Sequence, residues 1–364
     1  VVDIESTAEA ISTAVEAAEE MADVEIGSVF VNIAGNHIKS FNSVGSVPIT
    51  SENYEITEED EQKAVSAAKA VSIPLERMVL QVVPQEFSID GQTGIKGPVG
   101  MSGHKLEVGV HIITAKVAAV QNIVKCLGRA RLEYEDLILG SIASASSVLT
   151  VEEKEMGVVM IDLGGGTADI AVYVDGSLKF SDVFPCGGNQ VTNDVAVGLR
   201  LPFNKAEEIK KHYGSALRSV LSATEEFAVP GVLGRPSRNM LCRDLASIIE
   251  ARAEEIFLYI KQKIENAGYG EKVGSGVVLC GGASVLRDLD KLAQRVFNVP
   301  VRIGKVRGVG GMDYILESPS FATSVGLLIR GEELRKEKSM LGKSGARNLF
   351  STFSDWMKKF KKQS

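Results

Sequence analysis

Apolar residues recur along this chain with two periods, and glycine or proline marks most of the places where the period changes. In the first 35 residues Ile11, Val15 and Ala18 fall at helical spacing behind the cap candidates Asp3 and Ser6. Val29–Ile33 then reads as a buried strand ended by Ala34-Gly35. The opening string VVDIEST has the outline of an Asp-Ile-Gly-Thr-Thr phosphate loop. Glu5 stands where the glycine belongs, so a helix N-cap is the better reading. Residues 36–112 read as a compact insert. Thr57 and Asp60 open a helix with a capping-box pattern, running to about Val71 and stopped near Pro74. Met78–Val83 is a strand closed by Pro84, Gly91–Gly103 a Gly/Pro-rich loop, and Glu107–Thr114 a strand entering a core. His104 and His111 lie in this insert without ligand neighbours and read as structural. Val117, Val120, Ile123, Val124 and Leu127 mark the next helix, and Leu137–Leu139 a short strand. The small-residue helix Ser141–Leu149 either packs tightly on a sheet or is a hinge between two lobes.

The segment MGVVMIDLGGGTADIAVYV, residues 156–174, organises the second half. Two apolar runs flank Gly164-Gly165-Gly166 and predict a β-hairpin whose tip lacks side chains. Such a tip is either an ordinary turn or a cradle where backbone N–H groups close on an anion. Asp162, at the end of the first strand, is placed to hold a hydrated Mg²⁺, and Thr167 to donate to a phosphate oxygen. After a third strand, Leu178–Phe184, Gly187-Gly188 opens a helix, a second anion-facing site. Pro202 begins a helical segment containing AEEIKKHYG, residues 222–239 read as irregular, and a long helix runs from about Asp244 to Ala267. The strand Val277–Cys280 passes through Gly281-Gly282-Ala283 into a helix over Arg287–Phe297, again strand–GG–helix. Val299–Ile303 is a further strand and Phe321–Ile329 a last small-residue helix.

Composition narrows the chemistry. A net charge of -7 makes nucleic acid an unlikely default partner, and four scattered cysteines without a CxxC argue against a zinc site or a disulfide framework and fit a reducing cytosol. Apolar content of 45% and charged content of 24% describe a folded, soluble chain of two or three domains. No apolar run reaches transmembrane length. The chain shows neither a G-x-x-x-x-G-K-[ST] loop nor a G-x-G-x-x-G in a first strand–helix turn, which excludes Walker and Rossmann nucleotide sites.

The last residues differ in kind. Residues 331–347, charged and small, read as a linker. Beyond them Leu349, Phe350, Phe353, Trp356, Met357 and Phe360 fall on one face of a helix, with Lys358, Lys359, Lys361 and Lys362 crowding the other side and the end. From Lys343 onward the net charge is about +5, which leaves about -12 for the rest. That asymmetry predicts an interfacial helix on anionic lipid, the alternative being a core or partner-docking helix.

The three glycine turns, in the order DLGGGT, CGG and CGGAS, resemble the actin-like nucleotide-binding superfamily. IDLGGGTAD is similar to its second phosphate loop and VVLCGGASVLRDL to its adenosine motif. VNIAGNHIKS, VPQEFSIDGQTGIKGPVG, HIITAK and VRIG resemble the bacterial FtsA cell-division family over nearly the whole chain. The resemblance implies an α/β, actin-like (ribonuclease H-like) two-lobed fold with an FtsA-type inserted subdomain and a C-terminal amphipathic helix. Its parts would be a first lobe core (1–35 and 113–155), the insert (36–112), a second lobe core (156–200 and 272–330) and a further subdomain (201–271). The linker (331–347) and a membrane-targeting helix (348–364) would follow. ATP and Mg²⁺ are the implied cofactors. Asp162, Gly164, Gly165, Gly166, Thr167, Gly187, Gly188, Gly281, Gly282 and Ala283 would face the nucleotide, and Glu207 and Lys210 its ribose.

The resemblance also places a first phosphate loop before residue 1. Chaperone and kinase relatives carry an acid where Gly140-Ser141 stands here, which leaves Asp169 as the candidate base and implies weak or negligible hydrolysis. The implied role is a polymerising adaptor, peripheral on the cytoplasmic face of the bacterial membrane at midcell. Its partners would be FtsZ, its own copies, anionic lipid and later division proteins. An actin-fold ATPase or small-molecule kinase, and the actin-like adaptor of type IV pilus assembly, are the competing readings.

Overall fold

The computed structural model describes residues 3–231, 236–310 and 313–344, and the chain forms two compact units. The first holds residues 1–143, 177–180 and 327 onward; the second holds 144–176 and 181–326.

The first unit opens with helix α1 (Ile4–Ala22), whose N-cap Asp3 accepts from the Ser6 N–H at 2.7 Å. Strand β1 (Ser28–Ile33) later pairs in parallel with β6. The insert follows as β2 (Lys39–Pro48), α2 (Glu58–Lys69), β3 (Arg77–Ile89), β4 (Gln92–Ile95) and β5 (Lys105–Lys116). Its antiparallel sheet has the order β2-β5-β3-β4. Helix α2 starts at the Thr57–Asp60 capping box. Its Ala64, Val65 and Ala68 join Phe87, Leu106, Val108, Val110 and Ile112 in one buried core. Gly45 lets α2 lie directly on β2, because a Cβ there would stand 2.1 Å from the Ala64 carbonyl oxygen.

Two features of the insert differ from the sequence pattern. Pro84 does not close β3; the strand runs on to Ile89 through an irregularity between Pro84 and Phe87, where a residue without an N–H is tolerated. Strands β2 and β4 carry too few inward apolar residues to show the alternation that marks a strand.

Helix α3 (Val117–Arg129) packs on α1, and β6 (Glu133–Leu139) brings Leu137, Ile138 and Leu139 into full burial beside Ile33. The chain leaves the first unit within α4 (Gly140–Val148).

In the second unit α5 (Val151–Met156) follows, capped by a Thr150–Glu153 box whose Thr-x-x-Glu pattern stands in the sequence. The sheet of this unit takes in β7 (Val158–Leu163), β8 (Ala168–Val174) and β9 (Ser177–Phe184). Then come α6 (Gly188–Leu199), α7 (Phe203–Tyr213), the hairpin β10 (Glu226–Val229) and β11 (Arg238–Leu241), and α8 (Cys242–Asn266). That hairpin stands where an irregular segment was expected. Strand β12 (Val277–Cys280), α9 (Leu289–Phe297), β13 (Val301–Ile303) and α10 (Asp313–Glu317) lead to α11 (Ala322–Ser344). The sheet order is β13-β12-β7-β8-β9, and every residue of β7 is buried, as a central strand covered on both faces should be.

Helix α11 corrects the expected linker over its described part. Residues 331–344 continue the helix that begins at Ala322. The charges pair along it, Lys336 with Glu332 at 2.7 Å and Arg330 with Glu333. Leu334 anchors it against Ile138 and Ala143, and Gly331 brings its backbone onto the Phe30 ring. The unit boundary also falls within α4 and not at residue 155. The residues expected to face a membrane, Leu349, Phe350, Phe353, Trp356, Met357, Lys358, Lys359 and Phe360, lie outside the described residues.

Candidate nucleotide site

Strands β7 and β8 carry the first glycine turn because their buried apolar residues pin both of its ends. The Gly164 N–H donates to the Thr167 carbonyl at 2.9 Å and closes the turn. The tip stays clear: a Cβ at Gly166 would meet nothing within 4 Å. Thr167 points its hydroxyl inward, donating to Asp169 Oδ2 at 3.1 Å.

The second turn does something other than face an anion. The N–H groups of Gly188 and Asn189, at the start of α6, donate to the Gly164 and Gly165 carbonyls at 2.9 and 2.7 Å. The Gly187 N–H donates to Gln190 Oε1 at 3.0 Å. A Cβ at Gly187 would stand 2.5 Å from the Gly164 oxygen. These glycines therefore let two backbone turns touch, and the helix N-terminus braces the first turn. The third turn presses on the same place. Gly281, at φ +86°, leaves no room for a side chain; a Cβ would sit 2.3 Å from Asp162 Oδ1.

Asp162 and Asp169 are register partners across β7 and β8 and are 8% and 6% exposed. Asp162 Oδ2 accepts from the hydroxyls of Ser144 at 2.5 Å and Thr323 at 2.7 Å. Asp169 Oδ1 is buried without a hydrogen-bond partner among the described residues. Burial, then the charge of Asp162, pushes the Asp169 carboxyl up to about 7, against the Thr167 hydrogen bond. These two carboxylates, one with an unpartnered oxygen, form a donor set that fits a hard, hydrated cation.

All three turns open on one cleft of about 480 Å³ within the second unit. Gly165, Gly188, Gly282 and Ala283 line it, with Glu207 and Lys210 from α7. Asp162, Gly164, Gly166, Thr167, Asp169, Gly187 and Gly281 are not among its lining residues. Asn189 lines it too, over Gly165, and sequence reasoning missed it. The one signal was its place directly after the glycine pair. Lys210 is nearly buried, donating to the Gly188 carbonyl at 3.1 Å and Thr192 Oγ1 at 2.8 Å and pairing with Glu207 at 2.6 Å. Burial works to raise Glu207, but the hydrogen bonds from Lys210 and Thr192 prevail and hold it below the usual carboxylate range.

Residues 159–326 match the family described as Cell division protein FtsA, and residues 35–114 match the SHS2 domain inserted in FtsA. The Cell division protein FtsA of Pseudomonas aeruginosa is 42% identical over 346 residues, 95% of this chain and 82% of that protein. The chain belongs to the FtsA family. The FtsA of Escherichia coli K12 is 41% identical over 338 residues, 91% of this chain and 80% of that one. The fold is actin-like. It is shared with a PilM–PilN type IV pilus biogenesis complex (TM-score 0.62, 17% identity, 90% of this chain and 84% of that one). It is shared as well with ADP-bound MreB5 of Spiroplasma citri (TM-score 0.51, 17% identity, 62% and 68%).

Two further positions in this FtsA-family chain bear on chemistry. At the start of α4 a Cβ on Gly140 would stand 2.8 Å from Asn32 Oδ1, so an acid does not fit there without moving Asn32. His111 is buried in the insert, its Nδ1 2.6 Å from Asn42 Oδ1, and burial lowers it to about 4. It is a neutral core histidine. Among the described residues no helix is long and apolar enough to cross a membrane.

Proposed function

We propose that this protein binds ATP with Mg²⁺ in the cleft of its second unit and works as a polymerising membrane adaptor in cell division. The observation that carries the reading is the meeting of three separate glycine turns at one cleft in a chain of the FtsA family. The open tip at Gly165–Gly166 would take the phosphates, Asp162 and Asp169 would hold Mg²⁺ through water, and Gly282, Ala283, Glu207 and Lys210 would border the nucleoside. The MreB5 structure of the same fold, bound to ADP, supports an adenine nucleotide as the class of ligand. Hydrolysis would be slow. Asp169 is nearly buried with its Oδ2 taken by the Thr167 hydroxyl, and Gly140 leaves no room for an acid beside Asn32.

The adaptor role rests on the family and on the terminal sequence. Asn348–Ser364 would lie in the interface of anionic lipid. Six half-buried apolar anchors at roughly 1.5–3 kcal/mol each when fully buried, plus basic residues at about 1 each, less the ordering of the helix, leave a few kcal/mol per copy. One copy would bind reversibly; many copies on a filament would bind strongly through effective concentration. The filament would hold FtsZ and later division proteins on the cytoplasmic face of the membrane at midcell. Sedimentation with anionic liposomes tests this. Deleting Asn348–Ser364 should abolish co-sedimentation, and undiminished binding would exclude the tail as the anchor.

A further inference from the structure

Three cations crowd one end of the insert sheet in the first unit. Lys39 on β2 stands opposite Thr114 on β5, and Arg77 on β3 stands opposite Lys116, two residues further along β5. Cross-strand partners share a face, and so do residues two apart on one strand. Lys39, Arg77 and Lys116 therefore lie on one face. Like charges set opposite each other destabilise a sheet. Among the described residues no carboxylate lies within ion-pair distance of any of the three. Glu76, next along the chain, is exposed and reaches Arg77 only through its charge.

The guanidinium of Arg77 is held in a fixed orientation. Nη2 donates to the His37 carbonyl at 3.0 Å and the Thr114 carbonyl at 2.8 Å, and Nε donates to Thr114 Oγ1 at 3.0 Å. Nη1 has no partner among the described residues. Nearby, His37 Nε2 is buried without a partner. Burial first, then positive charges that include Arg77 and Lys116, pull His37 below its ordinary value. Helix α3 starts at the same corner. Its N-cap is Lys116, without a side-chain cap and with no acid in the first turn, and the whole helix holds no Asp or Glu. A clamp between strands accounts for the bonds of Arg77. It does not account for the two exposed lysines beside it, which hold nothing.

We infer that this corner of the first unit binds a phosphate group, carried by an anionic lipid headgroup or by a soluble phosphate compound. A phosphate brings up to two negative charges and three acceptor oxygens. It can meet the free edge of Arg77, both ammonium groups and the bare N–H groups that open α3 together. A single carboxylate, with one charge and two oxygens, would leave most of this set unanswered.

The test compares the full chain with Lys39→Gln, Lys116→Gln and the double variant. Both positions are exposed, and thermal midpoints confirm folding. One arm titrates vesicles of equal parts phosphatidylglycerol and phosphatidylcholine. Each substitution should weaken binding about three- to fivefold and the pair on the order of tenfold or more, with no difference on phosphatidylcholine alone. The other arm follows backbone hydrogen exchange with glycerol phosphate. Exchange should slow over Lys116–Val120, and the double variant should lose the effect. A response in the vesicle arm alone assigns the phosphate to lipid, and one in the soluble arm alone to a soluble compound. Unchanged behaviour of the double variant in both arms overturns the inference, as does an equal loss on neutral vesicles. Slowed exchange with polyglutamate but not with glycerol phosphate overturns it too, in favour of an acidic protein segment. The vesicle arm rests on the membrane reading above; if the wild type binds no vesicles that reading fails, and the soluble arm alone decides.

Discussion

Asp162 and Asp169 face each other across the β7–β8 ladder, both nearly buried, and the second is held up to about pH 7 by burial and by the first. Opposed like charges destabilise a sheet. An Asp raised from 3.8 in the unfolded chain to about 7 in the folded one lends its full stability below pH 3.8 and loses it as pH climbs through 7. Asp169→Asn should therefore raise thermal stability at pH 8 by roughly 1–3 kcal/mol and have little effect at pH 4. Added Mg²⁺ should narrow the gap at pH 8. Melting curves at the two pH values, with and without Mg²⁺, decide it.

His111 has the opposite slope. Its folded value of about 4 lies below 6.5, so its contribution is complete above pH 6.5 and is lost as pH falls through 4. The two groups oppose each other over the same window, and whole-molecule stability conceals both. In the Asp169→Asn background, unfolding free energy should drop by about 2–3 kcal/mol from pH 7 to pH 4. Replacing His111 with Gln in that background should flatten most of the drop. Urea titrations at several pH values give both numbers.

The glycines are not equivalent. Gly281→Ala puts a Cβ 2.3 Å from Asp162 Oδ1 on a residue at φ +86°, and should cost roughly 2–4 kcal/mol of stability. Gly166→Ala meets nothing within 4 Å and should leave stability within about 0.5 kcal/mol while weakening ATP on the order of tenfold. Paired melting and ATP titrations separate the structural glycine from the binding one.

Leu334 anchors the charged part of α11 in a core of the first unit and is 4% exposed. Leu334→Ala should cost about 2–4 kcal/mol. Glu332→Ala, which removes only an exposed pair with Lys336, should cost no more than about 0.5. Denaturant midpoints of the two variants compare the effects.

Much of the fold was legible because the buried strands β7, β8 and β12 are mostly apolar, with Asp162 and Asp169 the exceptions, and glycine turns follow β7 and β12 directly. What the pattern hid has physical causes. Strand β2 packs through Gly45 and scattered residues, β3 absorbs Pro84 in an irregularity, and residues 331–336 are held to the first unit by Leu334 and Gly331, with Glu332 paired to Lys336. At the site, spacing brought out the glycines but not their division of labour. Gly187 and Gly281 look like anion cradles in sequence, and the backbone they allow to approach lies elsewhere in the chain.

The central claim is that the first glycine turn of the second unit takes the phosphates of a nucleotide and the third borders its nucleoside. Backbone hydrogen exchange tests it most directly. With ATP and Mg²⁺, exchange should slow in Leu163–Ala168 and again in Gly281–Leu286, and Gly166→Ala should remove most of the first effect. Unchanged exchange in both segments at saturating ATP, or protection confined to residues outside the second unit, would contradict the account.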